Sequence, residues 1–163
     1  GDGPQVLEFN CRLGDPEAQV VLPRLEDDLA ELLVAGLEGR LADRELRWSP
    51  RTAVDVVLAS AGYPESPRTG EPIAGLEEAA HLPDVLVFHA GTARRNGRVV
   101  TAGGRVLNVV GLGDTLEAAR DRAYQAVDRV SWPGRQHRRD IATMSRELSV
   151  RAPGQGLRTG MEG

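Results

Sequence analysis

Lysine is absent from this chain of 163 residues: all 20 basic side chains are arginine. No phosphate can therefore be gripped by a lysine of this chain. Cysteine occurs once, as Cys11, which excludes an internal disulfide and suits a reducing cytosol. No histidine stands near it in sequence to make a catalytic thiol. No apolar run approaches the roughly 20 residues that a membrane-spanning helix needs. Gly1-Asp2-Gly3-Pro4, followed by alternating residues, does not read as a signal peptide. A net charge of −4 gives no global electrostatic case for nucleic acid. His81, His89 and His137 are too scattered for a zinc site, and no internal repeat is present. The chain is expected to be cytoplasmic, and it is long enough for one compact domain or two small ones.

The stretch that organises the rest is Val6 to Gln19. Its first half alternates with the period of a strand: Glu8, Asn10 and Arg12 fall on one face, Leu7, Phe9, Cys11 and Leu13 on the other. The apolar face, Cys11 included, is expected to pack on a core. Glu8 and Asn10 are oxygen donors suited to Mg2+, and Arg12 is a fork for a carboxylate or phosphate. A polar stripe opposite an apolar one equally describes any half-solvated strand. Gly14 and Asp15-Pro16-Glu17 then open a helix, with Asp15 as cap, Pro16 at the first helical position and Glu17 in the first turn. A strand ending in Glu-x-Asn-x-Arg and running into a helix start sets cation ligands beside anion-binding donors.

Glu8-Phe9-Asn10-Cys11-Arg12-Leu13-Gly14-Asp15-Pro16-Glu17-Ala18-Gln19 resembles the signature segment of the glycinamide ribonucleotide synthetases, the phosphoribosylamine–glycine ligases of the ATP-grasp superfamily. The resemblance continues in Ala61-Gly62-Tyr63-Pro64, Arg68-Thr69-Gly70, Phe88-His89-Ala90-Gly91-Thr92, Gly103-Gly104-Arg105-Val106-Leu107 and Arg139-Asp140-Ile141. It covers the chain to about residue 148 and is to the C-terminal portion of those enzymes. One departure is Ala142, where glycine is usual.

The resemblance implies a reaction in which ATP activates glycine as an acyl phosphate and 5-phosphoribosylamine attacks it, giving glycinamide ribonucleotide for purine biosynthesis. By the same resemblance Glu8 and Asn10 would hold Mg2+ or Mn2+ at the ATP phosphates, and Arg12 would be catalytic, facing the acyl phosphate. Gly14, Asp15, Pro16 and Glu17 would shape the acceptor pocket. Arg105 would take the substrate phosphate, and His89 is a candidate for touching substrate. Partners implied are ATP, glycine, phosphoribosylamine and the N-terminal and ATP-grasp portions of the same enzyme, without which the piece is expected to be inactive. Alternatives are another ATP-grasp carboxylate–amine ligase or carboxylase, or a non-catalytic α+β binding module.

The expected fold is α+β. Residues 1–47 would end an ATP-grasp domain, 48–150 would form a small antiparallel β-rich domain with a packed helix, and 151–163 a disordered tail. Leu25, Leu29, Leu32, Leu33, Val34 and Leu37 predict a core helix over about 26–38, stopped by Gly39. Trp48 is expected to anchor the connector 40–50. Strands are predicted over 52–60, 85–92, 98–101 and 105–110, with a type I′ turn at Asn96-Gly97. Asp114 is expected to cap a helix whose buried face is Leu116, Ala119, Ala123 and Val127. The basic run 135–139 reads as a solvated or intramolecular surface.

Overall fold

The computed structural model describes residues 5–7 and 9–143. The expected position of Glu8 and the expected tail lie outside them.

Two long strands, β1 (Thr52–Ala59) and β5 (Arg105–Gly113), form the spine. Both are dense in Val and Leu, residues that fit a pleated, covered surface. With β2 (Val85–His89) they make an antiparallel sheet in the order β1-β5-β2. β3 (Thr92–Arg95) and β4 (Arg98–Thr101) form a separate hairpin. Asn96 and Gly97 take φ of 49° and 76°, as the Asn-Gly pair predicts. The single strand expected over 85–92 breaks at Ala90-Gly91 into β2 and β3, so its two halves serve different sheets.

Helix α4 (Leu116–Val127) covers one face of the main sheet. Cross-strand pairs Val56↔Val109 and Leu58↔Leu107 lie under its Ala119, Ala123, Ala126 and Val127. The helix lies close because β5 carries glycine beneath it: a Cβ on Gly111 would sit 2.2 Å from the Ala119 carbonyl oxygen. The cap is Thr115, whose hydroxyl accepts from the Ala118 N–H at 3.1 Å, one residue later than expected. Asp114 instead reaches toward Arg51 at 4.0 Å. At the other end Arg135 donates to the carbonyls of Val127 and Val130, which bears out an intramolecular role for this part of the basic run. Burial pushes its pKa below the usual arginine value.

Helix α3 (Leu76–Ala80) was not legible in the sequence, since five residues are too few to show a helical period. Asp84, at φ 60°, ties the sheet's end together by accepting from Arg51 and pairing with Arg122, both at 2.7 Å.

The first third differs most from expectation. Residues 5–7 and 9–13 form no strand, and Leu7 and Phe9 are 95% and 84% exposed. A strand needs a neighbour to take up its backbone N–H and C=O groups, and no described strand lies beside this segment. Cys11 is correspondingly exposed, not buried. Helix α1 (Ala18–Val21) and a 3-10 turn (Leu22–Arg24) follow. Helix α2 (Leu29–Leu37) is capped by the Asp28 carboxylate, which accepts from the N–H groups of Ala30 and Glu31. It is not a core helix among the described residues: only Leu32 and Ala35 are buried, while Leu33 and Leu37 are 61% and 89% exposed. Trp48 anchors by its backbone, bridging Leu25, and its ring is half-exposed. No described helix is long and apolar enough to cross a membrane.

Candidate functional site

Arg105 opens β5 at an irregularity. Leu58 pairs with Leu107 but Ala59 pairs with Arg105, so the register slips around Val106. Such a bulge re-aims the side chains beside it, and here it sits at the residue expected to bind phosphate. The approach to Arg105 is clamped by backbone. The Ser60 hydroxyl and N–H donate to the carbonyls of Gly103 and Gly104, both at 2.8 Å. The Gly91 N–H donates to the Arg105 carbonyl at 2.9 Å. A Cβ on Gly91 would meet the Arg105 carbonyl oxygen at 2.7 Å, and one on Gly104 would meet the Tyr63 ring at 2.4 Å. Thus Gly91, Gly104 and Tyr63, quoted in the sequence only as points of likeness, fix where β5 begins.

From that start the Arg105 guanidinium reaches the turn before α1. It donates to the Asp15 carbonyl at 2.7 Å and to the Asp15 carboxylate at 3.2 Å. The Gln19 amide donates to the other carboxylate oxygen at 2.8 Å. Asp15 therefore does not cap the helix. The residue at the cap is Glu17, in helical geometry, and its side chain makes no capping bond. The Asp15–Pro16 bond is cis, so the chain bends before the helix starts. Gly14 is half-buried, its carbonyl taking the Ala18 N–H at 2.9 Å.

The structure brings the turn of Gly14, Asp15, Pro16 and Glu17 to Arg105, which lies 90 residues from Asp15 in sequence. Arg12 is exposed and donates to the neighbouring Leu13 carbonyl at 3.0 Å. Asn10 is exposed as well. His89 is exposed, and its Nδ1 lies 3.0 Å from the Thr92 hydroxyl. A concavity of about 850 Å3 runs along the β3–β4 hairpin and α3; it includes His89 but neither Arg105 nor the Asp15 turn. The polar cluster at Arg105 is thus an open surface, not a closed pocket. Among the described residues no group of three His, Cys, Asp or Glu side chains could hold a metal ion.

Comparison with known proteins takes in Arg105. The family described as "Phosphoribosylglycinamide synthetase, C domain" matches residues 53–144. The phosphoribosylamine–glycine ligase of Streptomyces coelicolor is 57% identical over 143 residues, which is 86% of this chain and 34% of that protein. The enzyme of the same name from Neisseria meningitidis serogroup A is 50% identical over 140 residues, 85% of this chain and 33% of its own length. A crystal structure of the Thermotoga maritima enzyme superposes with a TM-score of 0.65 at 41% identity, covering 84% of this chain and 33% of that one. The chain spans about a third of the length of the relatives it matches.

Proposed function

Because the chain belongs to the phosphoribosylglycinamide synthetase C-domain family, we propose that it supplies the acceptor-side part of an ATP-dependent, cytoplasmic ligase. The reaction is ATP, glycine and 5-phosphoribosylamine giving glycinamide ribonucleotide, ADP and phosphate, through glycyl phosphate, in purine biosynthesis. Residues 48–150 act as the β-rich domain, and 1–47 complete an ATP-grasp domain with other parts of a longer enzyme. The exposure of Leu7, Phe9, Leu33 and Leu37 supports that division, since such apolar surface is costly to leave in water.

The observation that carries the reading is the double link from Arg105 to Asp15. It joins the family-matched domain to the turn of the signature segment. A guanidinium has five N–H donors, so Arg105 keeps donors for the phosphate of phosphoribosylamine while two are engaged. Asp15, already accepting from Gln19 and Arg105, aims Arg105 rather than receiving the amine. Glu17, exposed and without a capping bond, is the acid that faces the amine or the glycine ammonium, on a turn shaped by Gly14 and Pro16. Arg12 faces the acyl phosphate, whose charge a guanidinium offsets as it develops.

Mg2+ or Mn2+ fits the donor chemistry here only in part. The Asn10 amide is an exposed hard oxygen donor, and Glu8 would add a carboxylate, but the described residues assemble no complete ligand set. Bound there with ATP, the ion would offset the negative charge gathered between phosphate and carboxylate.

The test has two arms. In a full-length relative carrying this sequence, Arg105→Ala should raise KM for phosphoribosylamine at least tenfold with a smaller change in kcat. Glu8→Ala or Asn10→Ala should abolish turnover with the fold retained. The chain alone should show no ligase activity and no heat on titration with MgATP. Unchanged kinetics in the variants, or micromolar MgATP binding by the chain alone, would overturn the reading.

A further inference from the structure

The face of the main sheet turned away from α4 holds an arrangement that the proposed ligase chemistry does not use. Pairings Asp55↔Val110 and Val57↔Asn108 put Asp55 and Asn108 on that face, as diagonal neighbours on adjacent strands. Helix α1 lies across β1 and β5 there. Among the described residues both carboxylate oxygens of Asp55 are buried without a hydrogen-bond partner. The same holds for the Asn108 side-chain oxygen, on a residue only 2% exposed, and for the Gln19 side-chain oxygen. Gln19 spends its amide N–H on Asp15, and the Asp15 charge acts on Asp55.

Buried acceptors without donors are rare and costly, and four oxygens on three side chains need a common explanation. No described arginine or histidine is among the groups acting on Asp55. Arg24, on the neighbouring 3-10 turn, donates through one terminal nitrogen to the Ser49 carbonyl at 3.3 Å; its Nε is buried without a described partner and is not among those groups either. The backbone N–H groups of Val56 and Val109 lie close enough to favour the ionised carboxyl, yet neither meets it in hydrogen-bonding geometry.

We propose that Asp55, Asn108 and Gln19 form an interior site for a hard divalent cation of the calcium–magnesium class, beneath the turn that carries Asp15. The donor set is all oxygen: one carboxylate and two amide carbonyls, with water completing the shell. The ion satisfies acceptors that have no other described partner, and the nearby Asp15 carboxylate adds to the attraction. Its structural effect is to fasten α1, and with it the Asp15–Arg105 contact, to the sheet. This site is separate from the one at Glu8 and Asn10 and does not depend on the ligase reading.

Thermal melts of this chain test it. In chelator-treated buffer at pH 8, the chain is titrated with CaCl2 and separately with MgCl2, each against choline chloride at matched ionic strength. At ten times the dissociation constant, one divalent ion should raise Tm by about 3–6 °C above the choline control. Asp55→Asn should lose that rise while still melting cooperatively. Since Glu8 and Asn10 are proposed ligands elsewhere, the E8A/N10A variant is melted alongside and should keep the rise. A wild-type response no larger than that to choline overturns the interior site. So does a rise that survives in D55N or disappears in E8A/N10A. Should D55N give no cooperative melt, Asn108→Ala decides: an apparent dissociation constant raised threefold or more supports the site, and an unchanged one overturns it.

Discussion

Arg105 and Asp15, 90 residues apart in sequence, are joined by two hydrogen bonds, one to the Asp15 carbonyl and one to its carboxylate. The side chains are 41% and 45% exposed, and water competes for an ion pair in that position. Such pairs contribute about 0.2–1 kcal/mol, so the contact directs a side chain more than it holds the fold. A double-mutant cycle of Asp15→Ala and Arg105→Ala, read by urea unfolding, should give a coupling energy in that range. A coupling above about 2 kcal/mol would make the pair a principal support of the fold.

The backbone clamp behind Arg105 should be far less tolerant. Gly91→Ala sets a Cβ 2.7 Å from the Arg105 carbonyl oxygen and 2.8 Å from the Gly103 Cα. Both are backbone atoms that cannot rotate away. A loss of about 2–4 kcal/mol is expected. Gly97→Ala meets no atom within 4 Å, but its φ is +76°, so only backbone strain of about 1 kcal/mol remains. Urea midpoints of the two variants check the ranking.

The helix cap gives a paired prediction. Thr115→Ala removes the acceptor of the Ala118 N–H and should cost about 1 kcal/mol. Asp114→Ala touches only a distant arginine and should leave Tm within a degree or two. The opposite ranking would restore Asp114 as the cap.

Asp84 makes part of the fold acid-sensitive. The Arg51 guanidinium hydrogen-bonded to it holds its carboxyl below the usual range, with Arg122 adding to the effect. A depressed folded pKa means stability that is complete above about pH 4 and is lost as pH falls through the folded value. Asp84→Asn, which tolerates the positive φ at this position, should lower Tm at pH 7. The difference from the parent should shrink on acidification below pH 4 in parallel melts.

Asp55 has the opposite sign. Burial first, and the Asp15 charge second, push its carboxyl up to about 7. Between about pH 4 and 7 the folded chain binds more protons than the unfolded one, so stability falls as pH rises through that window. In cation-free buffer Asp55→Asn should therefore melt above the parent at pH 8, by about 2–4 °C per kcal/mol recovered. The two should converge at pH 4. A parent melt that is flat from pH 4 to 8 would mean that the carboxylate is already satisfied.

Much of the β-rich domain was readable from local pattern. β1 is a run of covered aliphatics, Asn96-Gly97 dictates the β3–β4 turn, and the helically spaced apolar face of α4 names the side that packs. These features are set within a few residues, by pleat, turn chemistry and helical period. Alternation also suggested a strand at 6–13, and helical apolar spacing a core in α2, and both failed for one reason. Pattern shows that a surface is apolar but not whether anything covers it. Leu7, Phe9, Leu33 and Leu37 have the right period and no described neighbour to bury them.

The chain's own order of residues determined that Arg105 follows two glycines and that Asp15 precedes a proline turn. It equally determined that this chain offers no lysine and no internal disulfide. Only the tertiary structure decided that the arginine reaches that aspartate, that Asp15 is a tether instead of a cap, and that Asp55 and Asn108 share a face on which their side-chain oxygens have no hydrogen-bond partner among the described residues. Those outcomes depend on strand register and on a one-residue slip beside Val106. Register is fixed by long-range pairing, which no local window of sequence contains.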